Sequence, residues 1–184
     1  MAMLTVGEIE RYGQEVYDKA TEHVDDLSPG VLDVFRFTQA LGGSIFKCSG
    51  GTKNYPRATV DPENGRFLCK IPEFQSRGRD RFSVAHCLYH YLMGYVSSGR
   101  TQLEFHECGN YGRNDRVTEA AANMFALALL MPQEQFLEHQ SIGMNYSQLA
   151  DYFRVPVLFV ATRAGMLESP QEFQGELEQY SSCE

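Results

Sequence analysis

The clearest alternation of apolar and polar positions lies in Arg81-Phe-Ser-Val-Ala-His-Cys-Leu-Tyr-His-Tyr-Leu-Met93. There and just beyond, Ala85, Leu88, Tyr89, Leu92 and Val96 recur at i, i+3, i+4, i+7 and i+11 of one helical face. The period predicts a helix over 80–96. Upstream, Val6, Ile9, Val16, Ala20 and Val24 form an imperfect helical stripe over 5–24. A second helix is expected over 31–41, ending at Gly42-Gly43, where glycine suits a C-cap. Strand-like runs follow at 44–48, 57–60 and 66–71. The last two flank Asp61-Pro-Glu-Asn-Gly65, a strong turn signal, so they read as a hairpin. A three-stranded antiparallel sheet ending at Pro72 is the simplest arrangement.

Residues 97–114 are rich in Gly, Ser and Asn and read as a long loop, of the length that is more often functional than idle. A further helix should begin near Asp115 and end at Pro132, with Ala122, Phe125, Ala126 and Leu129 on its buried stripe. After a Gln/Glu/His segment, 146–153 and 157–164 read as two short helices around Val155-Pro156, and the chain from Glu168 as an acidic polar tail. The pattern predicts an α+β fold, mostly helical with a small three-stranded antiparallel sheet. It forms one domain over 1–170, with a flexible tail over 171–184.

Composition narrows the function classes. A formal charge of −8 over 184 residues argues against nucleic acid as a direct partner. The paired short helices have a helix-turn-helix flavour, but only Arg154 and Arg163 are basic there. The start of the chain lacks the basic and apolar regions of a signal peptide, and no run approaches the ~18 apolar residues of a membrane span. Five scattered cysteines without a C-x-x-C pair read as reduced thiols, so a cytoplasmic location is expected.

The candidate chemistry sits on the central helix. His86 and His90 are four residues apart, so both imidazoles leave one face and can close on one ion. A catalytic zinc site also needs a carboxylate, and Glu119 is the candidate, at the edge of the next helix's buried stripe. Glu119 could instead favour its own helix start. Asn123 could orient Glu119 or make an ordinary inter-helix hydrogen bond. Tyr89 and Tyr91 read as packing residues, and His23 and His139 as surface.

Arg81-Phe-Ser-Val-Ala-His86, His90, Glu119-Ala-Ala-Ala-Asn-Met-Phe-Ala126 and Leu129-Leu-Met-Pro132 together resemble the ImmA/IrrE family of zincin-like metallopeptidases, with weaker similarity over about 30–167. The resemblance implies one zinc ion held by His86, His90 and Glu119, and a metallo-endopeptidase fold. It also implies action on a protein partner, such as the DNA-binding repressors that the family often cleaves in stress, phage or mobile-element switches. Members often carry a helix-turn-helix domain at one end; the stretch before residue 30 is too short for one.

The sequence departs from the family at one position: Cys87 stands where the motif's glutamate should follow the first histidine. That glutamate takes a proton from the attacking water and passes it to the leaving amine. A thiol is shorter and, with a pKa of ~8.5, mostly protonated at neutral pH. Three readings follow. The chain is a pseudopeptidase that binds and sequesters a regulatory protein, as an antirepressor, antitoxin or inhibitor. Or His106 or Glu107 of the long loop supplies a substitute base. Or Cys87 is a fourth ligand, a strained geometry because it sits about 100° around the helix from His86. Hydrolysis impaired or lost is the expectation.

Overall fold

The computed structural model describes residues 4–48, 57–60, 66–96 and 113–182. Its architecture is α+β and mostly helical. Helix α1 (Val6–Thr21) opens on a capping box, Thr5 accepting from the Glu8 amide while the Glu8 carboxylate accepts from the Thr5 amide. Helix α2 (Val34–Ala40) is capped by Asp33. Strands β1 (Ser44–Cys48), β2 (Arg57–Val60) and β3 (Phe67–Pro72) precede α3 (Arg77–Tyr89), which runs into a π-helix at His90–Val96. Helices α4 (Arg113–Leu130), α5 (Gln133–Ser141), α6 (Tyr146–Phe153), α7 (Val157–Glu168) and α8 (Pro170–Ser182) follow.

The expected antiparallel pairing of β2 with β3 is present. The turn at 61–65 and the long loop over 97–112 lie outside the described residues. The sheet is mixed, not antiparallel. Its order is β1-β3-β2: β2 pairs antiparallel with β3, and β1 pairs parallel with it on the other side, Ile45 opposite Cys69. Apolar content explains the order. Phe67, Cys69 and Ile71 are buried, so β3 takes the centre, whereas Phe46, Lys47 and Cys48 face solvent on an edge. Adjacency in the chain misled the sequence reading, because β3 returns between its two predecessors.

Helix α4 runs through the core, packed against α1, α3 and α8. Its alanines permit close approach. A Cβ added at Gly13 of α1 would lie 2.7 Å from the Cβ of Ala128, so the α1–α4 crossing has no room for a larger residue. Arg163 of α7 is fully buried; it forks onto the Glu10 carboxylate and donates from Nε to the Met131 carbonyl at 2.9 Å, tying α7 to α1 and the end of α4. It is therefore not available to a nucleic acid.

Three boundaries differ from expectation. The central helix begins at Arg77 and changes to π geometry at His90. The Gln/Glu/His segment forms α5, anchored by buried Phe136. The segment read as a flexible tail forms α8: Pro170 suits a helix start, buried Leu177 is held in the core, and Gln174 accepts from the Val6 amide at 3.0 Å. Its short apolar spacing, Phe173 to Leu177, was outweighed in the sequence by the surrounding acids. Among the described residues no helix is long and apolar enough to cross a membrane.

Candidate metal centre

Histidine placement follows from the α3 pattern. One face of α3 carries Val84, Ala85, Leu88 and Tyr89 into the core, and His86 and His90 leave beside it toward α4. His90 caps α3 as the first residue of the π-helix, a geometry often found at functional sites. Glu119 comes from α4, one turn before Asn123 and alongside buried Ala121 and Ala122.

These three side chains meet. His86 Nε2 lies 3.1 Å from Glu119 Oε2, His90 Nε2 lies 3.2 Å from Glu119 Oε1, and the two Nε2 atoms are 3.0 Å apart. His86 and His90 are buried, while the Glu119 side chain keeps 23% of its surface, so the group opens to solvent on the carboxylate side. Asn123 Oδ1 accepts from His86 Nδ1 at 2.9 Å. That bond uses the ring's Nδ1 proton and leaves the Nε2 lone pair facing Glu119 and His90. Of the two roles its position allowed, Asn123 takes the inter-helix hydrogen bond, and through it orients His86.

Two ring nitrogens and a carboxylate at these distances need positive charge among them, supplied by imidazole protons or by a bound cation that replaces them. The donor set, two imidazoles and one carboxylate, suits zinc, and bonds of 2.0–2.1 Å at tetrahedral angles separate ligand atoms by roughly 3.3 Å. The observed 3.0–3.2 Å fits. Electrostatics agree. Burial alone would raise the Glu119 carboxyl, but the hydrogen bonds and charges of His86 and His90 outweigh it and hold the pKa at about 2. Burial lowers His90, against the pull of Glu119, and so favours the neutral, ligating imidazole.

Cys87 lies outside this group. Its side chain is fully buried in the hydrophobic core, and among the described residues the convergent set is His86, His90 and Glu119 alone. His106 and Glu107 lie outside the described residues. Tyr89 packs edge-on to His90 and against Phe125, and burial pushes its hydroxyl up to about 12. Cys69 is buried, Cys48 is exposed, and His139, read as a surface residue, is half-buried against the Tyr152 ring. One neighbour escaped the sequence reading: Phe82, whose ring centre is 6.4 Å from that of His86 and 4.2 Å from that of Phe159. Its signal was available, since Arg79, Phe82 and His86 share a helical face at i, i+3 and i+7.

Residues 38–164 match the sequence profile of the M78 peptidases, the IrrE N-terminal-like domain. The chain belongs to that family. Among solved structures it is similar to a Mycobacterium tuberculosis transcriptional regulator, with TM-score 0.59 and 13% identity. The match covers 88% of this chain and 48% of that one, so the chain spans about half the regulator's length. At that identity the likeness speaks for the fold. No curated protein matches the chain. Its M78 membership and the zincin-like fold agree with the resemblance seen in the motifs.

In this family member Asn123→Ala is expected to weaken zinc binding about 10–100-fold while leaving the fold intact, because the His86 ring loses its orienting acceptor. Competition titration with a chromogenic chelator measures it; unchanged affinity would show that Asn123 has only a packing role.

Proposed function

We propose that the chain holds one zinc ion at His86, His90 and Glu119 and acts on a protein partner, a DNA-binding repressor, with hydrolysis impaired or lost at Cys87. The observation that carries this reading is the convergence of two buried imidazoles and an ionised carboxylate within 3.2 Å. Zinc, when bound, supplies a Lewis acid that polarises a peptide carbonyl and lowers the pKa of water.

The protein's own part is to place the substrate and move the proton. Among the described residues strand β2 lies at an edge of the sheet and packs against α3 and the π-helix that His90 begins. Its outer edge suits an extended peptide bound by strand addition. The proton relay is the missing part. Cys87 occupies the general base's position, but its thiol is buried in the core, shorter than a carboxylate, and, with an ordinary pKa of ~8.5, already protonated at neutral pH.

That burial favours a second reading, in which the site binds and sequesters a regulatory protein without cutting it, as an antirepressor, antitoxin or inhibitor. Both readings are tested by expressing the chain with the helix-turn-helix regulator encoded nearest to it and a reporter for that regulator. Derepression with the regulator truncated, and no truncation by His90→Ala, supports the peptidase. Derepression with the regulator intact by mass spectrometry supports the sequestering form. No derepression contradicts both.

A further inference from the structure

Helix α3 begins with cations where a helix start favours anions. Arg77, Arg79 and Arg81 fall in its first five residues. Asp80, the acid of that turn, is drawn inward to Lys47 at 2.7 Å. Arg81 is buried, 1% exposed. Its Nη1 donates to the Leu32 carbonyl at 3.0 Å, and Nε and Nη2 find no hydrogen-bond partner among the described residues. A fourth arginine joins them. A Cβ on Gly78 would lie 3.1 Å from the Arg154 carbonyl, so the α6–α7 turn rests on the first turn of α3. Arg77, Arg79 and Arg154 are exposed and form no ion pair among the described residues. Sites that break a local rule in this way are commonly functional.

The surface beside these arginines is apolar. The Arg79 guanidinium lies 5.8 Å from the centre of the Phe159 ring, and Leu158 is 64% exposed. Phe159, Phe82 and His86 then form a run of neighbouring rings from Arg79 to the metal centre, the two phenylalanines partly exposed and His86 buried. Arg79 and His86 are seven residues apart on one face, a rise of about 10 Å, which an extended chain covers in about three residues.

We propose that this arginine-and-phenylalanine surface is a recognition site for an acidic segment of the protein partner. The segment carries an apolar residue and lies along α3, so that its acid falls about three residues from the residue at the metal centre. The proposal rests on the peptidase-family reading of that centre, but binding here requires no catalysis. Charge complementarity selects the occupant: in a chain of net −8, three exposed arginines without an ion pair among the described residues gather at the α3 start and the turn seated on it. A nucleic-acid backbone would also answer the charge, but exposed Leu158 and Val157 among the arginines suit a peptide better than a phosphate chain.

The test is selection from a bead-bound random decapeptide library by the full-length protein and by Arg77→Glu/Arg79→Glu. The expected result is several-fold enrichment of Asp and Glu over Lys and Arg beside an apolar residue, lost in the double variant. That variant should be at least as thermally stable as the parent, because its acids suit the helix start. His90→Ala should keep the enrichment, which separates this proposal from the fate of the metal reading. No acid preference, or one unchanged in the double variant, overturns the proposal. So does duplex DNA that binds through these arginines and displaces the selected peptides.

Discussion

Replacing Cys87 by glutamate is expected to raise peptide-bond hydrolysis by about 10²–10⁴, the usual contribution of a positioned general base. The reasoning is geometric. Position 87 lies about 100° around α3 from His86, so a group there reaches the cleft only through a side chain long enough to bend back. Cysteine ends in the core, fully buried, whereas a glutamate has a methylene in place of the sulfur and reaches further by a carboxylate. Rates are compared at equal zinc content on quenched fluorescent peptide mixtures and on the protein partner. Cys87→Ala serves as the size control and should leave the rate at the parent's level. A parent chain that already cleaves as fast as the Cys87→Glu variant would show that another group supplies the base.

Stripping zinc is expected to lower the thermal midpoint by roughly 5–15 °C. Ligand at 100 to 1,000 times its dissociation constant contributes about 2.7–4.1 kcal/mol, and each kcal/mol moves a chain of this size by about 2–4 °C. Without a cation, two imidazoles and a carboxylate remain pressed together at 3.0–3.2 Å. His90→Ala should abolish the response to zinc. The pH dependence has a definite sign. Burial lowers the His90 pKa below the ordinary 6.5, so its contribution is present above that value and lost as pH falls through the lowered one. Glu119, held at about 2, stays ionised through the same window. The zinc-induced shift should therefore fade on acidification through imidazole protonation, and differential scanning fluorimetry over pH 5–8 reads it. A midpoint indifferent to both chelator and zinc would contradict the metal centre.

Much of the centre was legible because helical spacing is local. His86 and His90 share a face at any register of the fold, and the small residues after Glu119 announced that α4 packs closely. That α3 and α4 pack so as to bring Glu119 to the histidines needed the family pattern, since no periodicity encodes a contact between residues more than 25 positions apart. The parallel pairing of β1 with β3 was hidden for a related reason: strand order depends on which strand buries more apolar surface, and Phe46 of β1, apolar in the sequence, is exposed. Helix α8 was missed because a few apolar anchors, Phe173 and Leu177, were read against the acids around them. The arginine cluster was invisible as such, because Arg154 joins Arg77 and Arg79 only through the seating of the α6–α7 turn on Gly78.

X-ray absorption at the zinc edge of the loaded, full-length protein addresses the metal and the sulfur together. The expected spectrum shows about one zinc per chain with two imidazole nitrogens and oxygen ligands at about 2.0–2.2 Å, and no sulfur. A sulfur shell near 2.3 Å would place Cys87 on the metal, and a chain that retains no zinc would remove the centre altogether.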